Sequence, residues 1–338
     1  MKILITGGLG FIGHNVVSRL EQQGHDCLII DNTTDYGLLN RQELDFVLEQ
    51  RTKQIKFSAL DHSDILNNTH ISSLIEVFRP DCVVHLASYP RQKIVNKNPK
   101  SALQVMVTAL MDLLSSCNRF NVEKFVYVSS SMVYGDSFKD YSFIPENAPC
   151  RPKGYYAIWK YTGELLVKDW AKTNKKNYII CRPSSVYGER DVTDRVVSKF
   201  IYQAFNNGIL EIRGHREIMD FTHVDDCADG IVLATIGSHS NYTVNLTRSD
   251  TKLWTIENAA DLIIDKIGLG TKQIADRDPS FPPRSNLDIR LARKLLSYDP
   301  KINLDKGLDR YIDWFRTNHF MPININLLNP QVGYSNCI

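Results

Sequence analysis

The stretch Lys2-Ile-Leu-Ile-Thr6, followed at once by Gly7-Gly-Leu-Gly-Phe-Ile-Gly13, decides the fold of this chain. A short apolar run leads into closely spaced glycines, and a helical pattern through Val17 and Leu20 follows. The order is strand, glycine turn, helix. Gly7, Gly10 and Gly13 let the backbone turn tightly, approach a pyrophosphate and pack the helix on the sheet. The helix N-terminus then offers its N–H groups to the phosphates. A second apolar strand, Cys27-Leu-Ile-Ile30, ends in Asp31, about twenty residues on, where an acid that binds a ribose 2′-hydroxyl belongs. A carboxylate there repels a 2′-phosphate, so NAD is favoured over NADP. A turn that merely needs glycines explains neither the spacing nor Asp31.

Outward from this unit, strands and helices alternate through about residue 190, with apolar strands expected at 3–6, 27–30, 55–59, 82–86, 124–129 and 179–183. Such alternation implies an α/β fold with a doubly wound parallel sheet. Beyond 190 the periodicity becomes irregular, with glycine and proline clusters at 207–214, 237–242 and 278–283. We expect a dinucleotide-binding domain over 1–190, with the chain recrossing near 215–250. A smaller mixed substrate domain over 191–320 would carry helices near 194–206, 225–236, 255–267 and 304–317. A polar, extended tail follows from Met321. Leu103, Met106, Val107, Leu110, Leu113 and Leu114 form a helical stripe over 100–117, which reads mostly as core. Part of it, or of the helix near 156–172, is expected to serve a homodimer interface.

Tyr156 and Lys160 stand four apart in Gly154-Tyr-Tyr-Ala-Ile-Trp-Lys160, a spacing that places both on one helix face. A free tyrosine is a poor base at neutral pH. An ammonium beside the phenol favours the phenolate and makes a usable acid/base. Alone, such a pair arises by chance on amphipathic helices; downstream of a dinucleotide turn it points to hydride chemistry.

Composition agrees. The 338 residues carry a net charge of +2 and a hydrophobic content of 43%, which suits a sizeable core and argues against a nucleic-acid surface built on bulk charge. The seven cysteines are scattered, lack metal-type spacing and read as reduced core residues of a cytoplasmic protein. No apolar stretch approaches a membrane span, and the glycine turn at residue 7 leaves no room for a signal peptide ahead of it. His85 ends an apolar strand and His223 precedes Asp225; both read as structural histidines, and Asp225 and Asp226 as caps of the next helix.

Ordered motifs along the chain carry a family resemblance. They are Thr6 to Gly13, His85-Leu-Ala-Ser88, Val128-Ser-Ser-Ser-Met-Val-Tyr-Gly135, Tyr156 to Lys160 with Glu164, Arg182-Pro-Ser-Ser-Val-Tyr-Gly188, Asp220-Phe-Thr-His-Val-Asp-Asp226, and Asp288-Ile-Arg to Asp299-Pro300. From residue 1 to about 316 the chain resembles the extended short-chain dehydrogenases/reductases of the nucleotide-sugar epimerase/dehydratase group. The resemblance implies a Rossmann domain with bound NAD and a nucleotide-diphosphate sugar as substrate. It also implies an opening step in which a sugar hydroxyl loses its proton to Tyr156 while its carbon gives hydride to NAD. Ser130 would hydrogen-bond the reacting oxygen, and Lys160 would hold the nicotinamide ribose. Phe11, Ile12, Asn32, Leu86, Ala87, Ser88, Ser129 and Pro183 are implied cofactor contacts, with Asp61 near the adenine; Ser131 is implied on the sugar.

The step after oxidation separates the members of the group. Related 4,6-dehydratases carry an Asp-Glu pair directly after the Ser130 position, and decarboxylases a glutamate; here Ser131 and Met132 stand there. Methionine moves no proton, which favours the 4-epimerases, whose keto sugar rotates and takes hydride back on its other face. Net oxidation or reduction of a nucleotide sugar, and a non-catalytic NAD-sensing scaffold, are the alternatives. Several positions depart from the group's pattern: Ser185 replaces an asparagine, Met219 an arginine and Met106 an asparagine. Arg284 matches a diphosphate-binding arginine and can grip phosphate bidentately. Arg213 is a further candidate for the nucleotide. Arg91 either meets an acidic group of an unusual sugar or is a solvated loop arginine.

Overall fold

A computed structural model describes residues 1–191, 195–278 and 282–318; the tail expected from Met321 lies outside them. Seven strands form the central sheet: β1 (Lys2–Thr6), β2 (Asp26–Ile30), β3 (Ala59–Asp61), β4 (Cys82–His85), β5 (Lys124–Val128), β6 (Asn177–Pro183) and β7 (Tyr242–Leu246). Their order is β7-β6-β5-β4-β1-β2-β3, and every neighbouring pair is parallel. Parallel strands need long crossovers, and helices supply them on both faces. Alternation along β1 shows the two layers. Ile3 and Ile5 pack with Val16, Val17 and Leu20 of the helix Gly13–Gln22 and with Cys227 and Ile231 of the helix Val224–Ile236. Leu4 faces the other way, toward Ile71, Leu110, Leu113 and Val167. The chain runs from β1 outward to β3 and then crosses to β4, so a crevice opens beyond the C-terminal ends of β1 and β4.

The third strand is displaced from its expected place at 55–59. Both carboxylate oxygens of Glu21 accept backbone N–H groups from Lys56, Phe57 and Ser58, at 2.9, 3.0 and 2.5 Å. This tertiary partner holds the apolar stretch as a turn, and pairing with β2 begins only at Ala59.

A second core gathers the helices Val196–Phe205, Ile256–Ile267 and Leu304–Thr317 around Phe200, Leu210, Ile212, Ile263, Leu308, Tyr311 and Phe315. Two strands in this region, Ile209–Arg213 and Thr271–Ala275, pair in parallel. One expectation is corrected here. Asp225 and Asp226 lie in the first turn of their helix, and His223 is its cap, with Nδ1 accepting from the Asp225 N–H at 3.2 Å. Asp226 instead accepts from the Lys301 and Ile302 N–H groups, at 2.8 and 2.9 Å.

Candidate active site

The crevice is the mouth of a cavity of about 870 Å³, walled on one side by the strand ends and on the other by Val196, Val197, Phe200, Met219 and Phe221. The glycine turn forms its floor. Gly7 has φ +73°, and a Cβ there would stand 2.6 Å from the Ala87 nitrogen; a Cβ on Gly13 would stand 2.1 Å from the Gly7 carbonyl oxygen. Neither position admits a side chain. The helix that begins at Gly13 has no side-chain cap, which leaves the N–H groups ahead of His14 for a ligand, and Phe11, Ile12 and Gly13 all line the cavity.

Asp31, at the end of β2, accepts from the Leu9 and Thr33 N–H groups, each at 2.8 Å. Burial raises its pKa, and the two N–H donors pull it back. Gly7, Gly10, Asn32, Leu86, Ala87, Ser88, Ser129 and Pro183 line the same cavity. These features fit a dinucleotide.

Asp61 differs from its expected place. Its carboxylate accepts from the Ser63 N–H at 3.0 Å and meets the His70 ring at 2.9 Å, and Ser63 to Leu66 provide the cavity wall instead.

At the reacting end, the strand end of β5 presents Ser130 and the helix Tyr155–Asn174 presents Tyr156, and both line the cavity. Behind Tyr156, the helix over 99–119 contains a π turn, Gln104–Thr108, that seats Met106 among Tyr89, Ile94 and Val95, with Tyr156 and Trp159 packed on that group. Tyr156 thus has an apolar backing. Lys160 directs its ammonium to the Val128 carbonyl at 2.9 Å and lies over the Tyr127 ring at 5.4 Å. Burial, opposed by Glu164, lowers its pKa to about 7.

The expectation that Lys160 depresses the Tyr156 pKa is corrected here. Burial holds that phenol above its ordinary value, and the Ser130 hydroxyl together with the charges of Arg195 and Arg284 pulls it back. Lys160 adds no charge there, because burial lowers its own pKa to about 7 and leaves it neutral where a phenol titrates.

The scaffold behind this end is a buried ion pair. Arg182 Nε and Nη2 meet the two Glu164 oxygens at 2.8 and 2.6 Å, and Ser129 Oγ donates to Glu164 at 2.6 Å. The pair fixes the Tyr156 helix to both β5 and β6. His85 is buried beside Thr6 Oγ1 at 2.8 Å, and burial lowers its pKa to about 3, so it stands neutral.

Arg91, Ser131, Ser185, Arg213 and Arg284 all line the cavity. Ser131 Oγ donates to Ser184 at 3.0 Å. Ser185, with φ +44°, accepts from Arg284 Nη1 at 3.4 Å. Arg213 is exposed and pairs with Glu211 at 2.6 Å, which places it at the rim. Arg91 is no solvated loop residue: burial and the charge of Arg195 lower its pKa to about 9, against the pull of Asp191.

Tyr36, Arg51 and Arg195 are among the lining residues that the sequence did not single out. Arg195 donates to the Val186 carbonyl at 3.3 Å and covers the Phe11 ring at 5.4 Å. Tyr36 donates to the Ser88 carbonyl at 3.3 Å and packs on Tyr89. Arg51 rides on the helix Arg41–Thr52, whose start was legible in the capping box of Asn40 and Glu43.

A parallel sheet with a glycine turn, an acid after β2 and a Ser–Tyr–Lys constellation defines a nicotinamide-dependent enzyme class. The family described as NAD dependent epimerase/dehydratase matches residues 3–245, and the chain belongs to it. It is an enzyme that uses NAD. It is 28% identical to a putative UDP-glucose 4-epimerase of Methanocaldococcus jannaschii, over 94% of this chain and 99% of that one. It is 30% identical to the uncharacterized UDP-glucose epimerase YtcB of Bacillus subtilis, over 92% and 97%. Among solved structures it resembles the UDP-glucuronic acid 4-epimerase of Bacillus cereus in complex with UDP-glucuronic acid and NAD, at 26% identity and a TM-score of 0.84, over 94% and 100%. Relatives named as a dTDP-glucose 4,6-dehydratase and a UDP-glucuronic acid decarboxylase also match. No helix among the described residues is long and apolar enough to cross a membrane.

Proposed function

We propose that this protein is an NAD-dependent nucleotide-sugar 4-epimerase. The observation that carries the reading is Met132. It is buried in the cavity wall two residues after Ser130, where an elimination or decarboxylation in this family would need a proton-transfer side chain. Bound NAD supplies a hydride acceptor. Ser130 orients the sugar C4 hydroxyl, and Tyr156 takes its proton and later returns it. Hydride return to the opposite face needs no further base. Arg284 and Ser185, hydrogen-bonded to one another, are suited to the diphosphate, and Arg213 at the rim to the nucleotide. The relatives named as UDP-sugar 4-epimerases support the substrate class.

We also infer a homodimer. Leu103, Met111, Ile158 and Leu165 are exposed apolar residues on the two helical segments nominated from the sequence, and the helices Ala109–Arg119 and Tyr155–Asn174 pack side by side. A second copy of the same face would cover them.

The catalytic reading is tested by incubating the protein with NAD and a panel of nucleotide sugars, neutral and acidic, and following the products by NMR and mass spectrometry. A C4 epimer of unchanged mass is expected. Loss of water or carbon dioxide, or accumulation of NADH with an oxidised sugar, contradicts it.

A further inference from the structure

Behind the glycine turn, hydrogen bonds close a circuit through His14, Arg190 and Arg51. His14 is fully buried, with Nδ1 2.9 Å from the Gly10 carbonyl and Nε2 3.0 Å from Arg190 Nε. The Arg190 carbonyl accepts from Arg51 Nη2 at 2.9 Å, and the Leu9 carbonyl accepts from Arg51 Nη1 at 3.2 Å. The circuit therefore starts and ends in the turn itself.

The partners fix the tautomer. A carbonyl only accepts, so Nδ1 carries the proton; an arginine Nε–H only donates, so Nε2 presents its lone pair. Burial and the Arg51 charge hold the His14 pKa well below its ordinary value, which keeps the ring neutral as this arrangement needs. Asn15 Nδ2 donates to the same Nε2 at 3.0 Å and to the Phe11 carbonyl at 3.1 Å. The carboxylates nearest Arg190 are committed elsewhere: Asp225 pairs with Arg19 and Arg310, and Glu189 with Arg310, each at 2.8 Å or less. His14 is thus the group that orients the Arg190 side chain.

Two walls of the cavity meet in this circuit. Leu9 and Gly10 belong to the cofactor turn, while Arg190 directly precedes Asp191, which lines the opposite wall with Arg195. The Gly10 carbonyl also accepts the His14 N–H at 3.2 Å, the first backbone bond of the helix whose N-terminus faces the ligand.

We propose that His14 and Arg190 are positioning residues for NAD. They fix the Gly10 carbonyl and with it the first turn of that helix, and they tie the turn to the opposite wall so that the cofactor is retained. The inference rests on the use of NAD and is independent of what the sugar does after it is oxidised.

The test is NAD affinity, measured by titration calorimetry on nucleotide-free protein, in His14→Phe, Arg190→Met, the double variant and Arg190→Lys. Losing the His14–Arg190 link is expected to weaken NAD about tenfold, equivalent to about 1.4 kcal/mol. Because both single variants break the same circuit, the double variant should match either single within about twofold. Arg190→Lys, which keeps a donor for Nε2, should recover part of the affinity. A merely structural role would not produce this coupling or this rescue. NAD affinity in His14→Phe within about twofold of the parent overturns the proposal, as do single effects that multiply in the double variant. If His14→Phe fails to fold, Arg190→Met carries the same test, and unchanged NAD affinity there overturns it. Sugar turnover is not read, so failure here is distinct from failure of the epimerase reading.

Discussion

Replacing Glu164 by alanine should be among the most damaging single changes outside the reacting groups. Glu164 is fully buried and accepts three hydrogen bonds, two from Arg182 and one from Ser129. Arg182 is itself buried, so Glu164→Ala strands a guanidinium that keeps, among the described residues, the Glu146 carbonyl at 3.3 Å, Cys150 Sγ at 3.3 Å and the Tyr134 ring at 4.7 Å. Breaking a buried pair from one side costs about 3–5 kcal/mol, whereas replacing both members by apolar residues of similar size is often neutral or stabilising. Against a typical total stability of about 5–15 kcal/mol, the single loss is severe. It should lower Tm by roughly 4–7 °C for a chain of this size. Ser129, next to Ser130, would lose its acceptor as well, so NAD binding should weaken alongside. Scanning calorimetry on Glu164→Ala, Arg182→Met and the double variant Glu164→Leu/Arg182→Met measures the cycle. The double variant should recover most of the loss. A Glu164→Ala protein within about 1 kcal/mol of the parent would refute the argument that this pair anchors the Tyr156 helix.

Other outcomes rest on the same geometry. Tyr156→Phe should reduce kcat on the cognate nucleotide sugar by about a hundredfold or more while NAD still binds, as steady-state kinetics and NAD titration would show. Gly13→Ala, whose Cβ would press on the Gly7 carbonyl at 2.1 Å, should cost about 1–3 kcal/mol in denaturant unfolding and weaken NAD. Lys160 gives a pH signature. Its folded pKa, lowered to about 7 by burial, lies below the unfolded value, so the unfolded state holds the proton over the window between them. The parent should therefore gain stability relative to Lys160→Met as pH rises from about 7 toward the ordinary lysine value near ~10.4, checked by urea unfolding at several pH values. Leu165→Glu, on an exposed apolar face, should convert a dimer to monomer in sedimentation experiments without changing the circular dichroism spectrum.

The parts of the fold written in local pattern were legible. The apolar run of β1, the glycine spacing and Asp31 predicted a strand, turn and helix, and the structure has them. The parts that depend on distant partners were not. Glu21 captures the N–H groups of Lys56 to Ser58 and so moves the third strand, which no reading of 55–59 alone can show. The pairing of Ile209–Arg213 with Thr271–Ala275 joins segments some sixty residues apart, Thr271 opposite Ile209, and Thr271–Ala275 shows no alternation of its own.

The site divides the same way. Ser130 and Tyr156 were nominated by motif, and both line the same cavity. The chain positions of Arg51 and Arg195 gave no sign that they reach the cavity, since the helix Arg41–Thr52 and the start of the helix Val196–Phe205 bring them there. Lys160 was identified but its lowered pKa was not, because that follows from a burial only the assembled fold creates.

The central claim, that Tyr156 and NAD carry a transient oxidation with no second acid/base, is tested most directly with a sugar labelled with deuterium at C4. Nucleotide sugar so labelled is incubated with the protein and catalytic NAD, and the product is read by NMR and mass spectrometry. The C4 epimer is expected with its deuterium retained, its mass unchanged and no build-up of NADH. Loss of the label to solvent, loss of water or carbon dioxide, or stoichiometric NADH would contradict it.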